Sequence, residues 1–354
     1  MRILVTGNLG YVGPAVVRQL RSEYPLAEIH GYDLGFFAHC LTNAQENPER
    51  YIDHQVYADV RAIDPDYLRG FDAIVHLSAI SNDPMGDRFA QVTRAINQDA
   101  SVSLAKAASE AGVGHFVFAS SCSVYGVASG GARREGDPLN PMTAYASSKI
   151  GTEQALAELD GDMVITCLRF ATACGMSPRL RLDLVLNDFV AGAMATGRIT
   201  VLSDGTPWRP LIDTQDMARA IAWASGRAAD NGGRFLVVNA GSTKSNYQVR
   251  ELAEAVGRAL PGTAISINTD APVDSRSYQV DFGLFERLAP RHQPLVMLER
   301  SIAELIAGLR GMGFADADFR HSSLIRLHTL QGHLSSGRLS ERLQWQQGER
   351  KAAA

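Results

Sequence analysis

The sequence has 354 residues, of which 45% are hydrophobic and 20% are charged, and its formal net charge is −4. This composition is typical of a globular protein with a full core, and the negative charge argues against nucleic-acid binding through phosphate contacts. No apolar run approaches the ~18 residues that a membrane span needs, so we expect no membrane partner. The length fits one large α/β unit or two coupled domains.

The N-terminal residues Met1 and Arg2 lead straight into an apolar stretch that ends at Gly7. A signal peptide needs a longer apolar segment and a cleavage site, so we expect a cytoplasmic protein. The chain has four cysteines without a CxxC pair: Cys40, Cys122, Cys167 and Cys174. This pattern favours buried thiols over a disulfide framework or a zinc site, and we expect no bound metal.

Short apolar runs alternate with longer helical patterns over the first 170 residues. Strands are predicted at 2–6, 28–32, 73–77, 115–120 and 164–170. Helices are predicted at 11–22, within 89–111 and at 144–159. This alternation predicts a Rossmann-type fold, an α/β architecture with a doubly wound parallel sheet and helices on both faces.

The regular alternation of strands and helices ends after residue 171, where we predict a smaller α/β substrate-binding lobe. Helices are expected at 181–196, 214–225, 246–259 and 301–310, with strands near 199–202 and 264–268. The predicted division assigns residues 1–171 and about 211–245 to the Rossmann domain, and about 172–210 and 246–314 to the lobe. The tail, residues 315–354, is predicted to be helical because leucines recur at helical spacing: Leu324, Leu327, Leu330 and Leu334.

Three glycines between the first strand and the first helix form a GxxGxxG motif: Gly7, Gly10 and Gly13. The first permits a tight turn, the second lets the backbone approach a pyrophosphate, and the third lets the helix pack closely. With the positive end of the helix, this loop predicts a dinucleotide phosphate site that comprises Gly7, Asn8, Leu9, Gly10, Tyr11, Val12 and Gly13.

Asp33 stands at the end of the second predicted strand, where an acid accepts the hydroxyls of the adenosine ribose. A carboxylate there would repel a 2′-phosphate, so NAD is favoured over NADP. Asp59 and Val60 lie between the second predicted strand and the strand at 73–77, and they are predicted to contact adenine.

Tyr145 and Lys149 have the YxxxK spacing that places two residues on one face of a helix. An ammonium beside a phenol can lower the pKa of tyrosine from ~10 by one to three units, which makes a usable base near neutrality. The chain has only four lysines, so a lysine here indicates that a compact ammonium is required. Ser121 leaves a strand at its carboxyl end, where its hydroxyl can bond a substrate oxygen.

The order and spacing of these motifs resemble the extended short-chain dehydrogenase/reductase family, and its nucleotide-sugar epimerases and dehydratases most closely. The resemblance covers residues 1–314. It implies that Tyr145 is the base, that Lys149 tunes it and binds the nicotinamide ribose, and that Ser121 binds the substrate hydroxyl. Further cofactor contacts are implied for Leu77, Ser78, Ala79, Asn97 and Ser120. The resemblance also implies a homodimer formed through the helices at 89–111 and 144–159.

The resemblance extends to the substrate side, where Arg209 and Arg276 match arginines that meet a nucleotide diphosphate. The implied substrate contacts are Ser81, Ser121, Cys122, Ser123, Tyr145, Thr172, Arg209 and Arg276. Cys122 and Ser123 stand where the dehydratases carry an Asp-Glu pair, and a thiol and a hydroxyl do not replace a carboxylic acid/base couple. Water elimination and decarboxylation are therefore disfavoured. Thr172 and Asp213 replace an Asn and a His of many relatives, which leaves the sugar open.

The leading hypothesis is an NAD-dependent nucleotide-sugar epimerase that acts at C4 through a transient keto-sugar, with no net consumption of cofactor. The alternative is an NAD(P)H-dependent 4-keto-sugar reductase, which needs the same residues. A third hypothesis is a non-catalytic NAD-sensing protein, and the presence of Tyr145, Lys149 and Ser121 together argues against it. The sequence leaves the sugar, the nucleotide and the pathway open.

Overall fold

A computed structural model describes residues 1–42, 47–81, 85, 88–127, 130–271 and 277–346 of the chain. The strands of the described residues are numbered in chain order: β1 (Arg2–Thr6), β2 (Glu28–Asp33), β3 (His54–Tyr57), β4 (Ala73–His76), β5 (His115–Ser121), β6 (Val164–Phe170), β7 (Thr172–Cys174), β8 (Arg198–Val201), β9 (Trp208–Asp213), β10 (Phe235–Ala240), β11 (Asn246–Gln248) and β12 (Ala264–Ile267). The α-helices are α1 (Gly13–Glu23), α2 (Ala90–Arg94), α3 (Ala100–Glu110), α4 (Ala144–Ala157), α5 (Val185–Thr196), α6 (Thr214–Ala224), α7 (Val249–Ala259), α8 (Gly283–Leu288), α9 (Leu298–Gly311) and α10 (Arg326–Ser335).

Seven parallel strands form the central sheet in the order β10-β6-β5-β4-β1-β2-β3. Every residue of β4 and β6 is buried, as expected for strands that are covered on both faces. On one face α1 and α6 pack against the sheet through an apolar cluster that includes Val16, Leu20 and Ile221. A second cluster, which includes Leu104, Phe116 and Leu156, places α3 and α4 on the opposite face. The predicted doubly wound fold is confirmed.

The second half of the chain builds two small sheets, β11-β9-β7 and β12-β8. Helices α5, α7 and α9 surround a separate apolar core with Val190, Leu252 and Leu305 at its centre. Strand β10 returns to the central sheet, whereas β9 pairs with β7 and β11 across the expected boundary near residue 211. We retain the two-part division as a proposal on the basis of these separate cores.

Several predicted helices differ from those in the structure. The helix predicted at 181–196 begins at Val185, because its N-cap residue Leu184 has extended backbone. The helix predicted at 246–259 begins at Val249, because Asn246–Gln248 pair with β9 as a strand before the chain turns. The pattern within 89–111 forms α2 and α3 with a π-helical turn at Ala95–Asp99 between them. The described tail contains α10, so its predicted helical character holds for residues Arg326–Ser335.

All four cysteines are buried free thiols. Within the described part of the chain, every helix is too short or too polar to cross a bilayer.

Candidate active site

A cleft of about 1030 Å³ opens where the strands of the central sheet end. Residues that follow the carboxyl ends of five neighbouring strands line it: Gly7 after β1, Leu34 after β2, Leu77 after β4, Ser121 at the end of β5 and Ala171 after β6. Ligands of doubly wound sheets bind at this edge. Helices and strands of the second half close the other side of the cleft through residues such as Phe189, Thr200 and Val249.

The glycine loop fits an anionic ligand. Gly7 has a φ of +76°, and a side chain there would come within 2.6 Å of the Ser78 amide nitrogen. At Gly13 a Cβ would lie 2.0 Å from the Asn8 carbonyl oxygen. The N-cap residue of α1, Val12, makes no side-chain capping bond, and the first turn has no acidic residue. The N–H groups and the positive end of α1 therefore face the cleft for a phosphate group.

The predicted cofactor contacts at Asn8 and Leu9 stay predictions. Asn8 and Leu9 do not line the cleft, in contrast to Gly7, Gly10, Tyr11, Val12 and Gly13. The Asn8 amide donates to Gln55 Oε1 at 2.6 Å, and the Leu9 N–H donates to Asp33 Oδ2 at 3.1 Å. Both residues therefore shape the loop, because their polar groups are directed into the protein.

Asp33 joins the glycine loop to the segment after β2. Its Oδ1 accepts from the Gly35 N–H at 2.7 Å, and its Oδ2 accepts from the Leu9 N–H. Burial raises the pKa of Asp33, and the two N–H donors oppose that rise. Asp33 lines the cleft together with Asp59 and Val60, so the three predicted adenosine contacts lie on one wall.

Tyr145 and Lys149 lie on the first turns of α4 and both line the cleft. The Lys149 side chain is only 2% exposed, and its Nζ donates to the Ala119 carbonyl oxygen at 2.7 Å. The same Nζ lies 5.5 Å from the centroid of the Tyr145 ring. Burial lowers the pKa of Lys149 to about 8, although the nearby Glu153 carboxylate raises it. The structure thus holds an ammonium beside the phenol, as the YxxxK spacing predicted.

If this ammonium supports catalysis, turnover should fall as the pH rises through about 8, because Lys149 loses its proton there. The reason is that the folded-state pKa of Lys149 lies below the ordinary lysine value of 10.5. The measurement is the initial rate of the reaction from neutral to alkaline pH. Lys149→Arg should remove this alkaline limb, since a guanidinium keeps its proton up to a pH of about 12. A flat wild-type profile across this range would contradict the assignment.

Ser121, at the end of β5, presents its side chain to the cleft and accepts from the Ser123 N–H at 3.2 Å. Ser123 also lines the cleft, and its buried Oγ has no hydrogen-bond partner among the described residues. Cys122 is different, because its Sγ donates to the Arg169 carbonyl oxygen at 3.1 Å and the side chain lies in the core. Burial raises the pKa of this thiol. The structure gives no support to the predicted substrate contact at Cys122, which stays a prediction.

Asn97 supports the cleft without lining it. Its Oδ1 accepts from the Ile80 N–H at 2.8 Å, and its Nδ2 donates to the Ile80 carbonyl oxygen at 2.9 Å. These bonds hold the segment after β4, and that segment supplies the lining residues Leu77, Ser78 and Ala79. These bonds support a positioning role for Asn97, and its predicted direct contact with the cofactor stays a prediction. Ser120 does line the cleft, and its hydroxyl donates to Glu153.

On the substrate side, Ser81, Thr172 and Arg209 line the cleft, whereas Arg276 lies outside the described residues. Their predicted contacts with the substrate stay predictions. The structure also shows a residue pair that the sequence analysis did not identify. Arg181 donates to both oxygens of Asp183 at 2.9 Å and to Ser81 Oγ at 2.8 Å. In the sequence, the only indication of this pair is that two opposite charges stand two residues apart in an apolar stretch.

Comparison with known proteins extends this description. The model of the NAD dependent epimerase/dehydratase family matches residues 3–241. A dTDP-glucose 4,6-dehydratase of Actinoplanes sp. is 29% identical over 325 residues, which cover 88% of this chain and 98% of that protein. A UDP-glucose 4-epimerase of Mycolicibacterium smegmatis is 28% identical over 73% of this chain and 83% of that protein.

Among solved structures, DesIV of Streptomyces venezuelae is similar with a TM-score of 0.71 and 27% identity, over 88% of this chain and 97% of that one. DesIV is a dTDP-glucose 4,6-dehydratase that was determined with NAD bound. The family match spans more than half of this chain, and the glycine loop, Asp33 and the Tyr145–Lys149 pair line one cleft. The chain therefore belongs to the NAD dependent epimerase/dehydratase family and is an NAD-dependent enzyme of the extended short-chain dehydrogenase/reductase type.

Proposed function

We propose that this enzyme is a nucleotide-sugar epimerase that inverts C4 through a transient keto-sugar, with Tyr145 as the base. The relatives include both epimerases and dehydratases, so the chemistry of the cleft has to favour one reaction. One observation carries the choice. Among the described residues, every carboxyl group that lines the cleft is already engaged by a donor: Asp33, Asp59, Asp183 and Asp188.

Three of these carboxylates form ion pairs. Asp59 accepts from Arg61, Asp183 from Arg181, and Asp188 accepts from Arg320 through both oxygens at 2.9 and 2.8 Å. A carboxylate held in this way is a poor proton carrier, because protonation would break the pair. Elimination of water needs such a carrier, whereas epimerisation needs proton transfer only at the oxygen of the inverted carbon. The cleft therefore favours epimerisation.

The proposed roles follow from the positions of the side chains. Tyr145 removes the proton of the sugar hydroxyl and returns it to the same oxygen, and the Lys149 ammonium stabilises the phenolate that exists before the first transfer and after the second. Ser121 donates a hydrogen bond to that oxygen. When bound, NAD⁺ supplies a hydride acceptor that can return the hydride to the other face of the sugar. The glycine loop and Asp33 would hold the cofactor. Because the hydride returns to the sugar, no cofactor is consumed in one cycle.

We propose that the nucleotide sugar binds on the side of the cleft formed by the second half of the chain. Arg209 lies there, and Ser81, Ser123 and Thr172 offer hydroxyl groups. An arginine fork suits a diphosphate, and hydroxyls suit the sugar. The predicted contact at Arg276 stays a proposal.

The function is tested by incubating the protein with UDP-, dTDP-, GDP- and CDP-hexoses and substoichiometric NAD⁺. The coupling of the C4 proton is followed by NMR, together with the absorbance of NADH. We expect an epimer to accumulate to equilibrium without net NADH formation. A methyl signal from a 6-deoxy-4-keto sugar would identify a dehydratase. Mole-for-mole oxidation of NADH by a 4-keto sugar, with no sugar epimerised, would identify a reductase.

We expect NAD(H) to bind at least about tenfold more tightly than NADP(H), because the Asp33 carboxylate would lie against a 2′-phosphate. Asp33→Ala should narrow this ratio, and it should also weaken NAD binding because Gly35 and Leu9 lose their acceptor. Titration calorimetry with both cofactors measures the ratio. Asp66→Ala, on an exposed ion pair, is the control. Equal affinities in the wild-type protein would refute the role of Asp33.

We also propose that the enzyme is a homodimer, in which the helices at 89–111 and 144–159 of two copies form the interface. In α4 small residues stand on more than one face, as a close helix–helix contact requires. Light scattering at micromolar concentration should give twice the mass of the chain, and a monomer at that concentration would exclude the dimer. The cytoplasmic location stays a prediction.

A further inference from the structure

The C-terminal segment, residues 319–346, forms part of the cleft wall. Three residues of this segment line the cleft together with residues of the glycine loop and of α4: Arg320, Ile325 and Arg326. The match to the family model ends at residue 241, before this segment begins.

The segment is fixed to the loop that follows Asp33. Leu330, Leu339 and Leu343 are buried in an apolar cluster with Phe36. The Trp345 indole donates to the Leu34 carbonyl oxygen at 2.7 Å. These contacts anchor the segment against the residues that follow Asp33, and the first residue of α10 lines the cleft.

Arg326, the first residue of α10, is a buried cation without a carboxylate partner. Its side chain is 1% exposed, and its nitrogens donate to the carbonyl oxygens of Arg179 at 2.7 Å and Ser323 at 3.3 Å. The guanidinium carbon lies 4.9 Å from the centroid of the Phe37 ring. Within the described chain, Arg326 has no ion pair. Burial lowers its pKa to about 10, so the guanidinium stays charged at neutral pH.

Two neighbouring arginines differ from Arg326 in this respect. Arg179 pairs with Glu49, and Arg181 pairs with Asp183. Asp183 attracts Arg326 electrostatically, but both of its oxygens already accept from Arg181. A buried charge without a counter-ion is costly, and carbonyl groups satisfy its N–H donors without neutralising it. A ligand anion in the cleft would supply the missing charge.

We propose that Arg326 is an anion-binding residue, which binds a phosphate or carboxylate oxygen of a ligand in the cleft. Arg326 packs against Phe37, which also lines the cleft, and interacts electrostatically with Arg181 and Asp183. The oxygen can belong to the pyrophosphate of NAD or to a charged group of the nucleotide sugar. The second source rests on the proposed function, and the first does not.

The test compares full-length wild-type protein with Arg326→Gln, by calorimetric titration with NAD⁺, UDP, UDP-glucose and UDP-glucuronate. We expect the affinity for at least one ligand to fall tenfold or more, with a weaker dependence on salt. A loss for NAD⁺ identifies the pyrophosphate, an equal loss for all three uridine ligands identifies the diphosphate, and a loss confined to UDP-glucuronate identifies a sugar carboxylate. Affinities within twofold of wild type for all four ligands overturn the proposal.

Arg338→Gln is the matched control, because Arg338 is exposed on the same segment and donates to Ser336 Oγ. Its affinities should equal those of the wild type. If Arg326→Gln does not fold, Arg326→Lys decides. It keeps the charge but loses the planar fork, so the affected ligand should bind several-fold more weakly, and unchanged binding overturns the proposal. Because binding is measured, a protein that epimerises no sugar refutes the proposed function and leaves this result intact.

Discussion

Tyr145→Phe is expected to reduce epimerisation by about 10²–10⁴-fold, since this is the usual cost of losing a general base. The substitution removes only the phenol oxygen, so the fold and NAD binding should be unchanged. Initial rates by NMR measure the loss of epimerisation activity. Calorimetry with NAD⁺ tests whether cofactor binding is unchanged, and the melting temperature tests whether the fold is unchanged.

The contacts of α4 explain why the effect should be confined to catalysis. Lys149 is held by the Ala119 carbonyl oxygen, so its position does not depend on the tyrosine hydroxyl. Tyr57→Phe is the matched control, because Tyr57 is 66% exposed and its loss of a hydroxyl should leave the rate unchanged. If Tyr145→Phe kept more than about a tenth of the activity, another group would have to be the base.

Gly13→Ala is expected to abolish measurable NAD binding. The added Cβ would lie 2.0, 2.4 and 2.6 Å from the O, C and Cα atoms of Asn8. All three are atoms of the main chain, so no side chain can turn away and the loop itself has to move. The phosphate-facing N–H groups of α1 would move with it. Calorimetry with NAD⁺ and thermal unfolding measure the two consequences.

Two further glycine variants separate loop geometry from a general effect of alanine. At Gly10 the added Cβ meets only the Gly7 carbonyl oxygen, at 3.2 Å, so Gly10→Ala should weaken NAD binding less than Gly13→Ala. At Gly311, at the end of α9, nothing lies within 4 Å, and Gly311→Ala should leave NAD binding unchanged. Its helix should gain about 0.5–1 kcal/mol of stability. Wild-type NAD affinity in Gly13→Ala would show that the loop does not hold the phosphates.

Local sequence pattern predicted five of the seven strands of the central sheet and the polar residues at its carboxyl edge, whereas β3 and β10 received no predicted range. The buried strand β4 begins with a continuous apolar run, and the glycine spacing marks the turn into α1. Tyr145 and Lys149 were predictable as a pair because one helical turn brings them together. Asp33 was predictable because it ends a strand at the edge where ligands bind.

Tertiary structure decided which side chains face the cleft and which support it. Cys122 and Ser123 are adjacent in sequence, yet the tight turn after β5 places the thiol in the core, whereas Ser123 lines the cleft with its Oγ buried. Asn97 reaches Ile80 only because helix and loop pack together. Arg326 approaches Arg179 across a long stretch of chain. Periodicity in a sequence reports neighbours within one element, whereas these contacts depend on the path of the chain between elements, so only the folded structure shows them.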